Sequence, residues 1–205
     1  MAEVWTPADV ARATELTLVR ADVTRAQIEK LCADAVARGC YGICVNSSRV
    51  ADAYHFGADH GLKVVSTIAF PFGAMDADAK RYEVESAADA GAHEFDVVMN
   101  VGLLRDGARD AVLRELRDVV EAADERPVKI LVDLSSLEGS EVTTACQLVL
   151  DSGAQFLSVS AAVDRVAELA KAMGPKFMVK AFASKMAEAT RLLEAGAKRI
   201  GQVAG

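Results

Sequence analysis

Three charged residues stand inside apolar runs where charge is costly: Asp96 in EFDVVMN, Lys180 in MVKAF and Lys129 in VKILVD. An unpaired buried carboxylate is expensive, so Asp96 requires a cation, and Lys129 and Lys180 are the ones at hand. Such a set has two uses. It can be a structural ion pair, or it can move protons, each group displacing the pKa of the others. A lysine amine can also attack a carbonyl carbon, but only when it is neutral. Lys180, between Val179 and Ala181, is expected inside the fold; Lys129 opens its run, so a solvent-facing position competes with a functional one.

The elements that place these residues follow a repeat. A helix-like segment ends near Gly and a short apolar run follows, as in ARGCYGICVN, DAGAHEFDVVMN, DSGAQFLSVS and EAGAKRIGQVAG. Gly just past a helix end takes the left-handed conformation cheaply, which makes it the expected cap. Successive caps at Gly39, Gly61 and Gly91, and again at Gly153, Gly174 and Gly196, are about 21 to 30 residues apart, the size of one strand-plus-helix unit. The intervening segments carry apolar residues at helical spacing, and the near-continuous apolar strands suit a buried parallel sheet. With an early strand near Glu15 to Val19 the count reaches eight, so the fold class is α/β, a (β/α)8 TIM barrel forming one domain over residues 1–205. An early Gly-rich phosphate turn, expected of a doubly wound sheet, is missing. The sequence stops after the eighth strand, so the usual closing helix is not expected, and that surface is either covered by another subunit of a homo-oligomer or left partly exposed.

Composition narrows the partners. The net charge of −7 argues against nucleic acid, and no apolar run approaches membrane-spanning length. Cys32, Cys40, Cys44 and Cys146 lack metal-ligand spacing, so neither a metal nor another cofactor is expected; the thiols suit a reduced, cytoplasmic setting. In such barrels the site is built at the C-terminal ends of the strands. The polar residues expected there are Thr17, Cys44, Asn46, Asp96, Asn100, Asp133, Ser158, Ser160 and Lys180, with Lys129 lower down.

Read together, CVNSSRV, FPFGA, EFDVVMNVGLLRDG, VKILVD, MVKA and AGAKRIG resemble the deoxyribose-phosphate aldolase family, class I aldolases on this barrel, over nearly the whole chain. The resemblance implies that Asp96 handles protons, that Lys180 is the lysine that lowers the pKa of the imine-forming one, and that Lys129 is a further lysine lower in the barrel. It places the imine-forming lysine at Ser158, which cannot form an imine. Other positions depart as well. Phe182-Ala183-Ser184 stands where the family has a Gly-Gly pair, Gly201-Gln202-Val203-Ala204-Gly205 replaces its last phosphate turn, the Gly-rich loop after Ser160 is gone, and Glu15-Leu16-Thr17 keeps only the threonine of Asp-His-Thr.

Three functions follow from this pattern. The first is an aldolase-like lyase whose imine has moved to Lys180, acting on an unphosphorylated carbonyl compound; Lys129 or burial would then have to lower the pKa of Lys180. The second is an acid–base isomerase, dehydratase or cyclase using Asp96, Lys180 and Lys129 without a covalent intermediate. The third is a non-catalytic binding relative. In all three Thr17, Asn46, Asn100, Asp133, Ser158 and Ser160 are candidate ligand contacts. Cys44 is read as pocket wall, and Asp133 as a plausible partner of Lys129 along an alternating strand.

Overall fold

The computed structural model describes residues 5–175 and 177–204 and is a closed parallel barrel in which each strand pairs with the next and β8 returns to β1. The strands are β1 (Thr14–Leu18), β2 (Gly42–Asn46), β3 (Lys63–Ile68), β4 (Glu94–Val98), β5 (Val128–Val132), β6 (Phe156–Val159), β7 (Met178–Ala183) and β8 (Arg199–Val203). The helices are α1 (Pro7–Arg12), α2 (Arg25–Arg38), α3 (Val50–Gly57), α4 (Ala77–Asp89), α5 (Val101–Arg105), α6 (Arg109–Ala122), α7 (Gly139–Ser152), α8 (Val163–Met173) and α9 (Met186–Glu194). Gly39 and Gly153 end α2 and α7 in the left-handed conformation, with φ of 65° and 89°. The cap signal read from the sequence therefore marks real helix ends.

The outward face of β8 needs no second subunit to bury its core residue. Ile200 is fully buried within the chain, α1 packs beside α9, and Arg38 donates 2.6 Å to Gln202. Gly205, part of the altered last turn, lies outside the described residues.

The strand register decides what meets on the barrel axis. Side chains facing inward form layers of four drawn from alternate strands. Gly42, Glu94, Phe156 and Arg199 make the lowest layer; Glu15, Val65, Lys129 and Lys180 the next; Cys44, Asp96, Ser158 and Gly201 the third; Thr17, Thr67, Leu131 and Phe182 the one nearest the mouth. The first three layers hold the charges and the fourth closes over them.

The FPFG motif explains itself through packing. Gly73 has φ of 65°, and a Cβ there would stand 2.2 Å from the Met99 carbonyl oxygen. The loop after β3 thus rests on the chain leaving β4, and only glycine permits that approach.

Candidate active site

Lys180 is fully buried and its ammonium hydrogen-bonds Glu15 Oε2 and Asp96 Oδ2 together. Lys129 is fully buried as well, not solvent-facing. Its Nζ lies 2.6 Å from Glu94 Oε2, 3.3 Å from Asp96 Oδ1 and 3.5 Å from Glu15 Oε1, ion-paired with all three but aligned for a hydrogen bond with none. Arg199 reaches Glu15 Oε1 at 3.8 Å and lays its guanidinium on the Tyr41 ring, 3.2 Å from the centroid, while the Tyr41 hydroxyl donates to Glu94. Among the described residues the interior therefore carries three cations, Lys129, Lys180 and Arg199, against three carboxylates, Glu15, Glu94 and Asp96. The set is charge-balanced.

That balance fixes the protonation states. Burial penalises the charge on Lys180, but Asp96 and Glu15 outweigh it and raise its pKa above the ordinary lysine value. Lys129 is raised too: burial opposes its charge, and Asp96 and Glu15 overcome it. Burial would raise Asp96, yet Lys129 and Lys180 pull it below the usual carboxylate range. The expectation that Lys129 or burial lowers the pKa of Lys180 is thus reversed, because two carboxylates touch its ammonium directly. Glu15, Cys44 and Asp96 bring three potential metal-ligand atoms within 4.8 Å of one another, but the Lys180 ammonium already serves as the cation between Glu15 and Asp96.

The remaining candidates divide. Cys44 Sγ lies 3.8 Å from Asp96 Oδ2, and burial pushes its thiol pKa up, so it walls the cluster as a protonated thiol. Ser158 is fully buried beside Asp96 in the third layer, and its hydroxyl has no hydrogen-bond partner among the described residues. Thr17 sits above them with its hydroxyl 3.4 Å from the Glu15 carbonyl. Asn46 lines a cavity of about 470 Å³ at the ends of β1 to β3, together with Ser47, Ser48, Thr67, Phe70 and Glu83. Its amide donates 3.1 Å to the Arg20 carbonyl.

Three expected contacts stand outside the charged cluster. Asn100 caps α5, accepting from the Leu103 amide at 3.1 Å. Ser160 is exposed beyond the end of β6. Asp133 is exposed past β5 and accepts from the Ser135 amide and hydroxyl at 3.0 and 2.6 Å. Four residues along a strand place it about 13 Å from Lys129, so alternation put both on one side without bringing them together.

Sequence reasoning missed Glu15, Glu94 and Arg199. Alternation could have found two of them, since Glu15 shares a face with Thr17, and Glu94 with Asp96.

No protein-family model matches the chain. A curated deoxyribose-phosphate aldolase of Geobacillus sp. (strain WCH70) is 37% identical over 207 residues, covering 96% of this chain and 93% of its own length. Its counterpart from Thermococcus gammatolerans is 35% identical with the same coverage. The solved tetrameric deoxyribose phosphate aldolase of Aeropyrum pernix superposes with a TM-score of 0.84 at 25% identity, over 96% of this chain and 87% of that one. Near-complete coverage at this identity, on a barrel of the same architecture, makes the chain a member of the deoxyribose-phosphate aldolase family.

Proposed function

We propose that the chain is an aldolase-type lyase for a small unphosphorylated aldehyde or ketone and works by proton transfer without an imine. The balanced interior charge carries this reading. Driving a lysine to its neutral, nucleophilic form needs surplus positive charge nearby. In the family pattern a lysine at the position of Ser158 would add a fourth cation; with serine there, Lys180 has no reason to give up its proton. Its ammonium suits another task, stabilising the oxyanion of an enolate as a carbon–carbon bond breaks or forms. Asp96, ionised beside it, takes the proton from the substrate hydroxyl and returns it to carbon. Asn46 and Thr67 at the floor of the mouth cavity are the contacts for a hydroxylated substrate, and the altered loops after β6, β7 and β8 support a ligand without phosphate.

An imine on Lys180 is the second reading, favoured because Lys180 is, among the described residues, the one lysine in contact with Asp96 through a hydrogen bond. The two differ in pH dependence. Proton transfer needs Asp96 ionised and Lys180 protonated, and since Asp96 is lowered and Lys180 raised, activity is flat between about pH 5 and pH 9. An imine route rises toward alkaline pH as the amine loses its proton. Borohydride reduction with acetaldehyde or acetone present should leave Lys180 unmodified while exposed lysines such as Lys30 are alkylated, and the chain should exchange the α-hydrogens of those compounds with deuterium oxide whereas Asp96→Asn does not. A reduced adduct on Lys180 would establish the imine instead; absence of exchange under all conditions would leave only a binding role.

A homo-oligomer in the cytoplasm belongs to the same proposal. Support comes from the tetrameric relative, the free thiols and the finding that no helix among the described residues is long and apolar enough to cross a membrane. Light scattering of the purified protein reads the assembly.

A further inference from the structure

We infer that Phe182 is the residue that decides what reaches Asp96 and Lys180. Phe182 faces inward in the layer nearest the mouth, and its ring lies beside Gly201 of β8 with its centroid 5.3 Å from Lys180 Nζ. Gly201 makes room for it: a Cβ at that position would lie 2.5 Å from ring atoms Cδ1 and Cε1 and 3.2 Å from Lys180 Cε. The backbone does not require glycine there, since Gly201 is not among the residues with positive φ. The ring requires it.

The third layer is small on this side, with Ser158 and Gly201 facing the axis, and the aromatic ring fills the room they leave. Below that layer Asp96 and Lys180 are at 1% and 0% exposure, and the Ser158 hydroxyl is buried without a hydrogen-bond partner among the described residues. Phe182 itself is half-buried, and the opening inferred here is an outward turn of its ring. The space it vacates borders the unpartnered Ser158 hydroxyl and the Lys180 ammonium beneath an apolar wall. That space selects a small uncharged carbonyl compound whose carbonyl oxygen lies between Ser158 and Lys180. A highly charged or bulky ligand would need to keep the ring displaced while filling a pocket no larger than the ring itself.

This rests on the reading of Asp96 and Lys180 as the proton-handling pair, but access can be measured without turnover. Cys44 lies in the layer that the ring covers, whereas Cys32 is buried on α2, outside the barrel axis. Methylmercury binds thiols and is small enough to pass the mouth, so its rate of attachment to each cysteine, followed by mass spectrometry, reports local opening. Phe182→Ala is expected to speed attachment at Cys44 by at least roughly tenfold while leaving Cys32 unchanged. Gly201→Ala should do the same by pushing the ring aside, and Phe182→Leu should keep Cys44 slow. Unchanged Cys44 in Phe182→Ala, or a parallel rise at Cys44 and Cys32, would overturn the inference: the first means the ring covers nothing, the second that it only stabilises the fold. If Cys44 opens as expected but deuterium exchange is never seen, the proposed activity fails and the gate stands.

Discussion

Lys80 and Glu115 form a second buried ion pair, outside the barrel, and they behave in the opposite way from the charges within it. Lys80 Nζ donates 2.6 Å to Glu115 Oε1 and 3.0 Å to the Val98 carbonyl, tying α4 and α6 to the end of β4. Burial lowers the pKa of Lys80 more than Glu115 raises it, and burial raises Glu115 more than Lys80 lowers it. With Glu115 the only carboxylate in contact with the Lys80 ammonium among the described residues, and Glu83 acting from farther off, both members of the pair are drawn toward neutrality. Inside the barrel Asp96 meets both Lys129 and Lys180, each of those lysines meets more than one carboxylate, and for these three groups the ionised forms win. The difference is one of number, not of burial, because Lys80 and Lys180 are equally inaccessible. A buried lysine is thus a base or a fixed ammonium according to how many carboxylates surround it.

The comparison can be broken most forcefully at Lys180. Lys180→Met should cost about 3–5 kcal/mol in urea unfolding, because Glu15 and Asp96 lose the ammonium they share and neither can return to water. Lys80→Met should cost less, about 1–3 kcal/mol, since the remaining Glu115 is already raised and can take a proton instead of staying charged. Equal losses at the two sites would mean that the two clusters do not differ.

Acidity sharpens the contrast. In the Lys80→Met variant Glu115 has a pKa above that of the unfolded chain, so the native state binds the extra proton. The damage is then largest above the folded pKa and is relieved as pH falls toward the unfolded value near 4.3, as urea midpoints at pH 5 and pH 8 would reveal. Asp96 runs the other way in the intact protein. Its folded pKa is lowered, so its contribution is complete above an unfolded value near 3.9 and disappears as pH falls through the folded one. Intact barrel charges should consequently add no pH dependence between pH 5 and pH 8. The smallest effect is expected from replacing Lys80 and Glu115 together by leucine, which should be near neutral or stabilising, since a lone buried pair is replaceable by apolar packing. A loss above about 2 kcal/mol in that double variant would show that the pair is needed for its own sake.

Much of this was legible in the residues. Gly-capped repeats and apolar runs gave the barrel, and the charges at positions 96, 129 and 180 stood out against their strands. Lys129 looked ambiguous because its place at the start of a strand says nothing about whether neighbouring strands rise past it; the stagger of the barrel puts it level with Glu15 and Lys180. Asp133 looked like its partner because alternation conveys side, not distance. Asn100 and Ser160 were read from their places near strand ends, which tell nothing of depth: one caps a helix and the other is exposed past β6, both outside the buried charges. Phe182 was visible only as a departure from a glycine pair. Its meaning depends on Gly201 across the neighbouring strand, a pairing that no local pattern announces.

The protonation state of Lys180 decides between the fixed ammonium and the nucleophilic amine. Nitrogen-15 NMR of the lysine side chains, with Lys180 assigned by comparison with Lys180→Met, follows that state directly through a titration. The resonance should remain that of an ammonium from pH 6 to beyond about pH 10, since the folded pKa lies above the usual lysine value. Conversion to a neutral amine below about pH 8 would contradict the charge balance and return Lys180 to the role of nucleophile.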